Sequence, residues 1–125
     1  MTNEEMEVWN RAAMKKGGPT PRAGDAALSA LLLAHGMVMN GGVFHAVADA
    51  LNPEEMAAAC EGFRFFGFDE VAELLEVATR TKWTSESEEV FNARYGRSIP
   101  SDSVLGERFE RHFAEHRDLY APISG

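Results

Sequence analysis

Asn40-Gly41-Gly42-Val43-Phe44 is the stretch that decides the fold, because a long apolar helical pattern ends there and a second one begins. Glycine tolerates the positive backbone φ that closes a helix because it has no Cβ, and asparagine tolerates it better than most residues. The residues after the second glycine resume helical spacing. We therefore interpret Asn40, Gly41, Gly42 and Phe44 as a structural turn motif and not as a binding site.

Upstream of this turn the sequence predicts two helices. Thr2 followed by Glu5 is a capping-box pattern, and apolar residues then recur at helical spacing up to a Gly-Gly-Pro break. Asp25 is the predicted N-cap of the second helix. The first helix presents Met6, Trp9 and Ala13 at helical spacing, and the second carries Leu28, Leu31, Leu32, His35 and Met39 on one face.

Downstream of the turn the sequence predicts a short helix carrying Val43, Phe44, Val47 and Leu51, and then an antiparallel helical hairpin. Asn52 caps the first hairpin helix, Pro53 occupies its first position, Gly67 closes it and Asp69 caps the second hairpin helix. The predicted buried stripes of the hairpin are Met56, Cys60 and Phe63 on one helix and Val71, Leu74, Leu75 and Ala78 on the other.

The last third of the chain predicts two further helices. One covers 88–95 and is stopped by Gly96, and the other is capped by Ser103 and ends near Tyr120. Val90, Phe91 and Tyr95 are expected to point inward from the first, and Leu105, Phe109, His112, Phe113 and His116 share one side of the second.

No stretch alternates with a period of two, so the predicted fold is all-α: a compact bundle of six to seven helices. The length predicts one domain over 1–125, with an N-terminal helix and loop over 1–22, a helical core over 23–80 and C-terminal helices over 81–125.

The charge distribution excludes some partners. The net charge is −8, and residues 49–89 hold eleven acidic side chains against three basic ones. A nucleic-acid binder needs clustered Lys and Arg, so we expect neither direct nucleic-acid binding nor binding to an anionic membrane. The acidic start of the chain, the single cysteine and the absence of an apolar run long enough to span a bilayer predict a cytoplasmic protein.

Two motifs with catalytic residue types have simpler structural explanations. His112-Phe113-Ala114-Glu115-His116 matches an inverted zinc-protease pattern, but only nine residues follow, which leaves little chain for the third ligand. Cys60 lies among alanines in an acidic segment, a setting typical of a small buried hydrophobe. We therefore expect no catalytic residue, no metal and no cofactor.

Two histidines near the central turn define an alternative. His35 lies on an apolar helix face and His45 lies just beyond the glycines, so both could approach a shared pocket together with Asn40. A histidine in such a place more often hydrogen-bonds within the protein. The alternative is a small enzyme or ligand-binding domain with a pocket at His35 and His45.

Carboxylates recur along the predicted hairpin, three to four residues apart on its second helix. They form either an ordinary solvated face or a negative surface that recruits a basic partner. The predicted partner-binding residues are Glu54, Glu55, Glu61, Asp69, Glu70, Glu73 and Glu76.

The segment from Leu31 to Ala78 resembles the DNA-mimic protein 19 family, domain-of-unknown-function family 4375. The resemblance rests on the Asn-Gly-Gly motif and on the hairpin over 61–75, although Val43 intervenes before the aromatic residue that usually follows the second glycine directly. It implies an all-α fold without catalytic residues. One family member is described as an acidic dimer whose carboxylates imitate DNA phosphates and engage a transcription factor.

The sequence thus predicts a non-enzymatic protein–protein interaction domain whose acidic helical surface acts as a DNA mimic. The expected partner is a basic DNA-binding protein, and the content of Phe, Met and Leu also predicts a homodimer. A further alternative is an immunity or regulatory protein for one dedicated partner.

Overall fold

Six α-helices make up most of residues 1–123, the part of the chain that the computed structural model describes. They are α1 (Asn3–Lys15), α2 (Ala23–Gly41), α3 (Pro53–Phe65), α4 (Asp69–Ala78), α5 (Ser85–Ser98) and α6 (Asp102–Glu115). A π-helical segment (His45–Ala50) precedes α3, and a 3-10 turn (Arg117–Leu119) follows α6. Residues 1–123 contain no β-strand, which confirms the predicted all-α fold.

Helix α2 contacts α1, the π-helical segment, α3 and the 3-10 turn. Its buried residues include Leu28, Leu31, Ala34 and Val38. Met39, which the sequence analysis placed on the same face, is 57% exposed near the end of the helix. No helix within residues 1–123 combines the length and the apolar character that crossing a bilayer requires.

The Asn-Gly-Gly segment ends α2 at its last glycine. Asn40 and Gly41 are still helical, and only Gly42 takes a positive φ, of 94°. The backbone N–H of Val43 then donates to Asn92 Oδ1 over 2.9 Å, which ties the turn to α5. Phe44 is buried behind the turn and packs on the ring of Phe91, with centroids 5.1 Å apart.

Two helix starts agree with the sequence prediction. Thr2 and Glu5 form the predicted capping box, with the Thr2 hydroxyl accepting from the Glu5 N–H over 3.1 Å. Asn52 caps α3, where Pro53 occupies the first turn, and Glu55 completes a second capping box. In α1, however, the buried residues are Val8 and Ala12, whereas Met6 and Ala13 are exposed.

Three predicted N-caps are wrong. Asp25 lies inside α2, where its carboxylate accepts from the backbone N–H of Arg22 over 3.0 Å, so the helix begins two residues before it. Asp69 is the first residue of α4, and Phe68 occupies the N-cap position without a capping side-chain hydrogen bond. Ser103 is the second residue of α6, and its hydroxyl pairs with that of Ser101 at 2.6 Å.

The C-terminal boundaries also differ from the prediction. Thr84 caps α5 by accepting from the Ser87 N–H, so the helix begins three residues earlier than predicted. Gly96 does not stop the helix: it lies inside α5, and a Cβ at this position would meet nothing within 4 Å. Val90 is 47% exposed, contrary to its predicted inward position. Helix α6 ends at Glu115, and the 3-10 turn carries the chain on towards Tyr120.

Candidate functional site

The α3–α4 hairpin turns its apolar stripes inward and its carboxylates outward. Phe63 of α3 and Val71 and Leu75 of α4 are fully buried, and Gly67, with a φ of 82°, makes the turn between the helices. Most of the predicted acidic side chains therefore stand on the outer side of the hairpin. Five of the seven are exposed: Glu54, Glu61, Asp69, Glu70 and Glu73.

The other two carboxylates are engaged within the protein. Glu55 accepts from the backbone N–H of Asn52 over 2.9 Å as part of the α3 capping box. Glu76 accepts two hydrogen bonds from the guanidinium of Arg64, and this contact holds the pKa of the Glu76 carboxyl below its ordinary value. Neither carboxylate is as available to a partner as an unpaired one.

Glu70 and Glu73 face a mixed-charge groove between α4 and α5. The groove has a volume of about 490 Å³, and Arg94 and Arg97 of α5 line it together with the two glutamates. These guanidinium groups offset part of the negative potential of α4 without forming an ion pair within 4.0 Å in residues 1–123. The sequence prediction missed this opposition because the arginines lie on a different helix.

The other three exposed carboxylates are Glu54, Glu61 and Asp69, here called the acidic hairpin surface; Arg64, a cation near Glu61 and Asp69, is paired with Glu76. In the part of the chain that the structure describes, none of them lies within 4.0 Å of a Lys, Arg or His nitrogen. Glu54 and Glu61 are seven residues apart on α3, about two helical turns, so they share one face. Asp69 begins α4 near the end of α3 that carries Glu61.

A second groove, here called the α3 groove, lies between the π-helical segment, α3 and the end of α4. Its volume is about 710 Å³, and its floor is formed by Val47, Leu51, Met56 and Cys60. Burial, followed by the nearby Glu76 carboxylate, raises the pKa of the Cys60 thiol. The thiol therefore stays protonated and acts as part of an apolar floor, as the sequence predicted for this cysteine.

His35 has no free ring nitrogen. Its Nδ1 lies 2.8 Å from the Tyr95 hydroxyl, and its Nε2 lies 2.8 Å from Asp102 Oδ1. Because a carboxylate only accepts, neutral His35 carries its proton on Nε2, and the tyrosine hydroxyl donates to Nδ1. Burial and the charge of Asp102 raise the pKa of Tyr95, which is 1% exposed. This hydrogen-bonded chain links α2, α5 and α6, with His35 and Tyr95 buried and the Asp102 side chain 84% exposed.

Three cavities of the described chain do not coincide with the shared pocket predicted for the two central histidines. None is lined by His35, His45 or Asn40. A Cβ placed on Gly41 would lie 2.5 Å from the ring of His45, so this ring packs directly on the helix end. The lack of a side chain at Gly41 thus leaves room for the His45 ring to pack against the end of α2.

The C-terminal zinc-like pattern is used for packing. His112 Nδ1 lies 2.9 Å from the Tyr120 hydroxyl, and the rings of His112 and His116 have centroids 4.7 Å apart. Burial, followed by the charge of His116, lowers the pKa of His112. Within residues 1–123, no group of three or more His, Cys, Asp or Glu side chains is placed to hold a metal ion.

A buried ion pair anchors the end of the described chain. Arg11 Nη2 lies 2.8 Å from Asp25 Oδ1 and donates to the carbonyl of Ala121 over 2.9 Å. Asp25 Oδ2 accepts from the Ala121 N–H over 2.7 Å. Sequence reasoning missed this network because its members are up to 110 residues apart and carry no local signal.

The fold and these surfaces define an all-α protein with an acidic helical hairpin. Comparison of the chain with protein-family models, with curated proteins and with solved structures gives no match in any of the three. The resemblance to the DNA-mimic protein 19 family therefore stays a prediction.

Proposed function

We propose that this chain is a non-enzymatic binding protein that engages a basic protein partner through the acidic hairpin surface. The observation that carries the proposal is that Glu54, Glu61 and Asp69 are exposed and form no ion pair within 4.0 Å in residues 1–123. An exposed carboxylate without an internal cation can pair with a partner's Lys or Arg without first breaking an ion pair. A patch of like charge also attracts an oppositely charged partner over a distance and speeds its association.

The partner that fits this surface is a protein that ordinarily binds nucleic-acid phosphates. Such proteins carry clustered Lys and Arg that neutralise phosphates, and the same cluster complements a row of carboxylates. The resemblance to the DNA-mimic family motivates this finer proposal, and the charge of the α3–α4 hairpin, seven acidic side chains against one basic one over 53–78, supports it. An immunity or regulatory protein would use the same surface against one dedicated partner.

The proposal is tested by neutralising the surface. In the surface triple variant, Glu54→Gln, Glu61→Gln and Asp69→Asn remove three charges and keep the side-chain shapes. Wild type and variant are immobilised and exposed to a lysate of the source cell at low salt, and captured proteins are identified by mass spectrometry. We expect a basic nucleic-acid-binding protein on the wild type and its loss from the surface triple, because the complex depends on these charges.

A control triple variant separates location from net charge. Glu7→Gln, Glu107→Gln and Glu115→Gln change the net charge by the same amount, and all three residues are exposed and in no described ion pair. The control triple should retain the partner, and circular dichroism should show the same helix content in all three proteins. Equal loss from both triples would contradict the proposal, since only total charge would then matter.

A further inference from the structure

The α3 groove adjoins the acidic hairpin surface, and both use α3. Leu51, Met56 and Cys60 are each less than 10% exposed and form a floor on which apolar groups of a ligand could pack. The volume of about 710 Å³ lies within the range of roughly 300 to 1,000 Å³ that is usual for binding pockets. One wall is the π-helical segment His45–Ala50, and π-helical turns occur frequently at functional sites.

The α3 groove and the acidic hairpin surface share Glu61. The charged side chains that line the groove are Glu61 and Glu76 on one hand and Arg64 and Arg80 on the other, and Arg64 is paired with Glu76. Glu61 forms no ion pair in the described chain, and Glu54, which is exposed, directly follows the lining residue Pro53 on α3. A partner held by the carboxylates of the acidic hairpin surface therefore reaches the apolar floor of the groove from the α3 side.

We propose that the α3 groove receives the apolar side chains of a basic, amphipathic helical segment of the protein partner. This inference rests on the proposed function, because the acidic hairpin surface selects a basic partner and the groove then anchors it. Binding of an amphipathic helix into an apolar groove places side chains from successive turns on one floor. Central apolar anchors supply most of the affinity in such contacts, while the surrounding charges supply orientation and association rate.

The test uses a synthetic peptide of about 18 residues, five helical turns, with leucines on one face and lysines on the other. A scrambled peptide of the same composition, with its leucines spread around the helix, measures the purely electrostatic part of the binding. Ala57→Phe fills the groove from an exposed position that lines it, and Ala58→Phe is the matched control on the next residue, also exposed but outside the lining. Binding is measured by fluorescence anisotropy of labelled peptide.

We expect A57F to weaken binding of the amphipathic peptide about tenfold or more, the loss that corresponds to excluding one leucine-sized side chain. A58F should bind like the wild type, and neither variant should change the weaker binding of the scrambled peptide. Equal affinities of A57F and A58F for the amphipathic peptide, or equal affinities of both peptides for the wild type, would overturn the groove inference.

Other occupants of the groove give different results that also overturn the inference. Binding of decanoate that A57F abolishes, without binding of the amphipathic peptide, would identify a small-ligand site. A molar mass of a dimer that A57F reduces to that of a monomer would identify a second copy of the chain as the occupant.

The surface triple variant distinguishes a failure of the proposed function from a failure of the groove inference. If it binds both peptides like the wild type, the proposed function fails, whereas an ineffective A57F alone removes only the groove.

Discussion

The close contact between α2 and α3 makes a quantitative prediction about Gly62. A Cβ at this position would lie 2.5 Å from the backbone oxygen of Ala27, and ordinary contact needs 3.4 Å, so the two helices must separate by about 0.9 Å. The obstacle is backbone and cannot rotate away. Overpacking of this kind costs ~1–3 kcal/mol. We take the upper end, because α2 and α3 form the most extensive helix contact in the described chain.

Gly62→Ala also gains helix propensity, worth about 1 kcal/mol for Gly to Ala inside a helix. The net prediction is a free energy of unfolding lowered by about 2 kcal/mol. Gly96→Ala is the matched control, because a Cβ there meets nothing within 4 Å. That variant should be more stable than the wild type by about 1 kcal/mol, from propensity alone.

Both free energies are measured by urea unfolding monitored by circular dichroism, with the m-value compared among the three proteins to show that two-state unfolding is kept. The expected difference between the two alanine variants is about 3 kcal/mol. If Gly62→Ala were stabilised as much as Gly96→Ala, the close approach of α2 to α3 would be refuted.

Three further predictions concern the buried polar contacts. His35→Phe should lower the free energy of unfolding by about 1–3 kcal/mol, because it leaves the buried Tyr95 hydroxyl without a partner, and adding Tyr95→Phe should recover part of this in a double-mutant cycle. Asp25→Asn should lower the free energy of unfolding, measured in urea, by about 3–5 kcal/mol, because it leaves the Arg11 guanidinium without its buried counter-charge. If Asp25→Asn lowered the free energy of unfolding by less than Arg11→Met does, this would contradict a dominant role of the ion pair. The lowered pKa of His112 predicts stability that is fully present above pH 6.5, the ordinary pKa, and is lost as the pH falls from there through the folded-state pKa. His112→Gln should remove that part of the pH dependence, and parallel pH profiles of variant and wild type would contradict it.

Local signals in the sequence predicted the helical framework well. The capping boxes at Thr2 and Asn52 depend on residues three positions apart, so the sequence alone reveals them. Gly67 turns the hairpin because its backbone φ of 82° is accessible mainly to glycine. The buried stripes of α3 and α4 follow from apolar residues at helical spacing.

Other boundaries depended on contacts between distant segments. Asp25 has the residue type of an N-cap, but its carboxylate instead joins Arg22, Arg11 and the distant backbone of Ala121. Gly96 has the residue type of a helix stop, but the surrounding helix of fourteen residues tolerates it at an exposed position. Patterns within a few residues cannot predict such outcomes, because the deciding partner lies elsewhere in the chain.

The surroundings of the acidic side chains could likewise be predicted only in part. Helical spacing places the carboxylates outward, yet it cannot reveal that Glu70 and Glu73 face Arg94 and Arg97 across a groove. The apolar floor of the α3 groove is formed by residues of both the π-helical segment and α3, so the sequence pattern of either segment alone does not predict it.

The measurement that tests the central claim most directly is the salt dependence of binding to the captured partner. Association constants of the purified partner are measured over a salt series for the wild type, the surface triple and the control triple. We predict that the affinity of the wild type falls as salt rises, that the surface triple binds more weakly with a shallower slope, and that the control triple follows the wild type. Parallel slopes for the wild type and the surface triple would contradict the claim that Glu54, Glu61 and Asp69 form the contact.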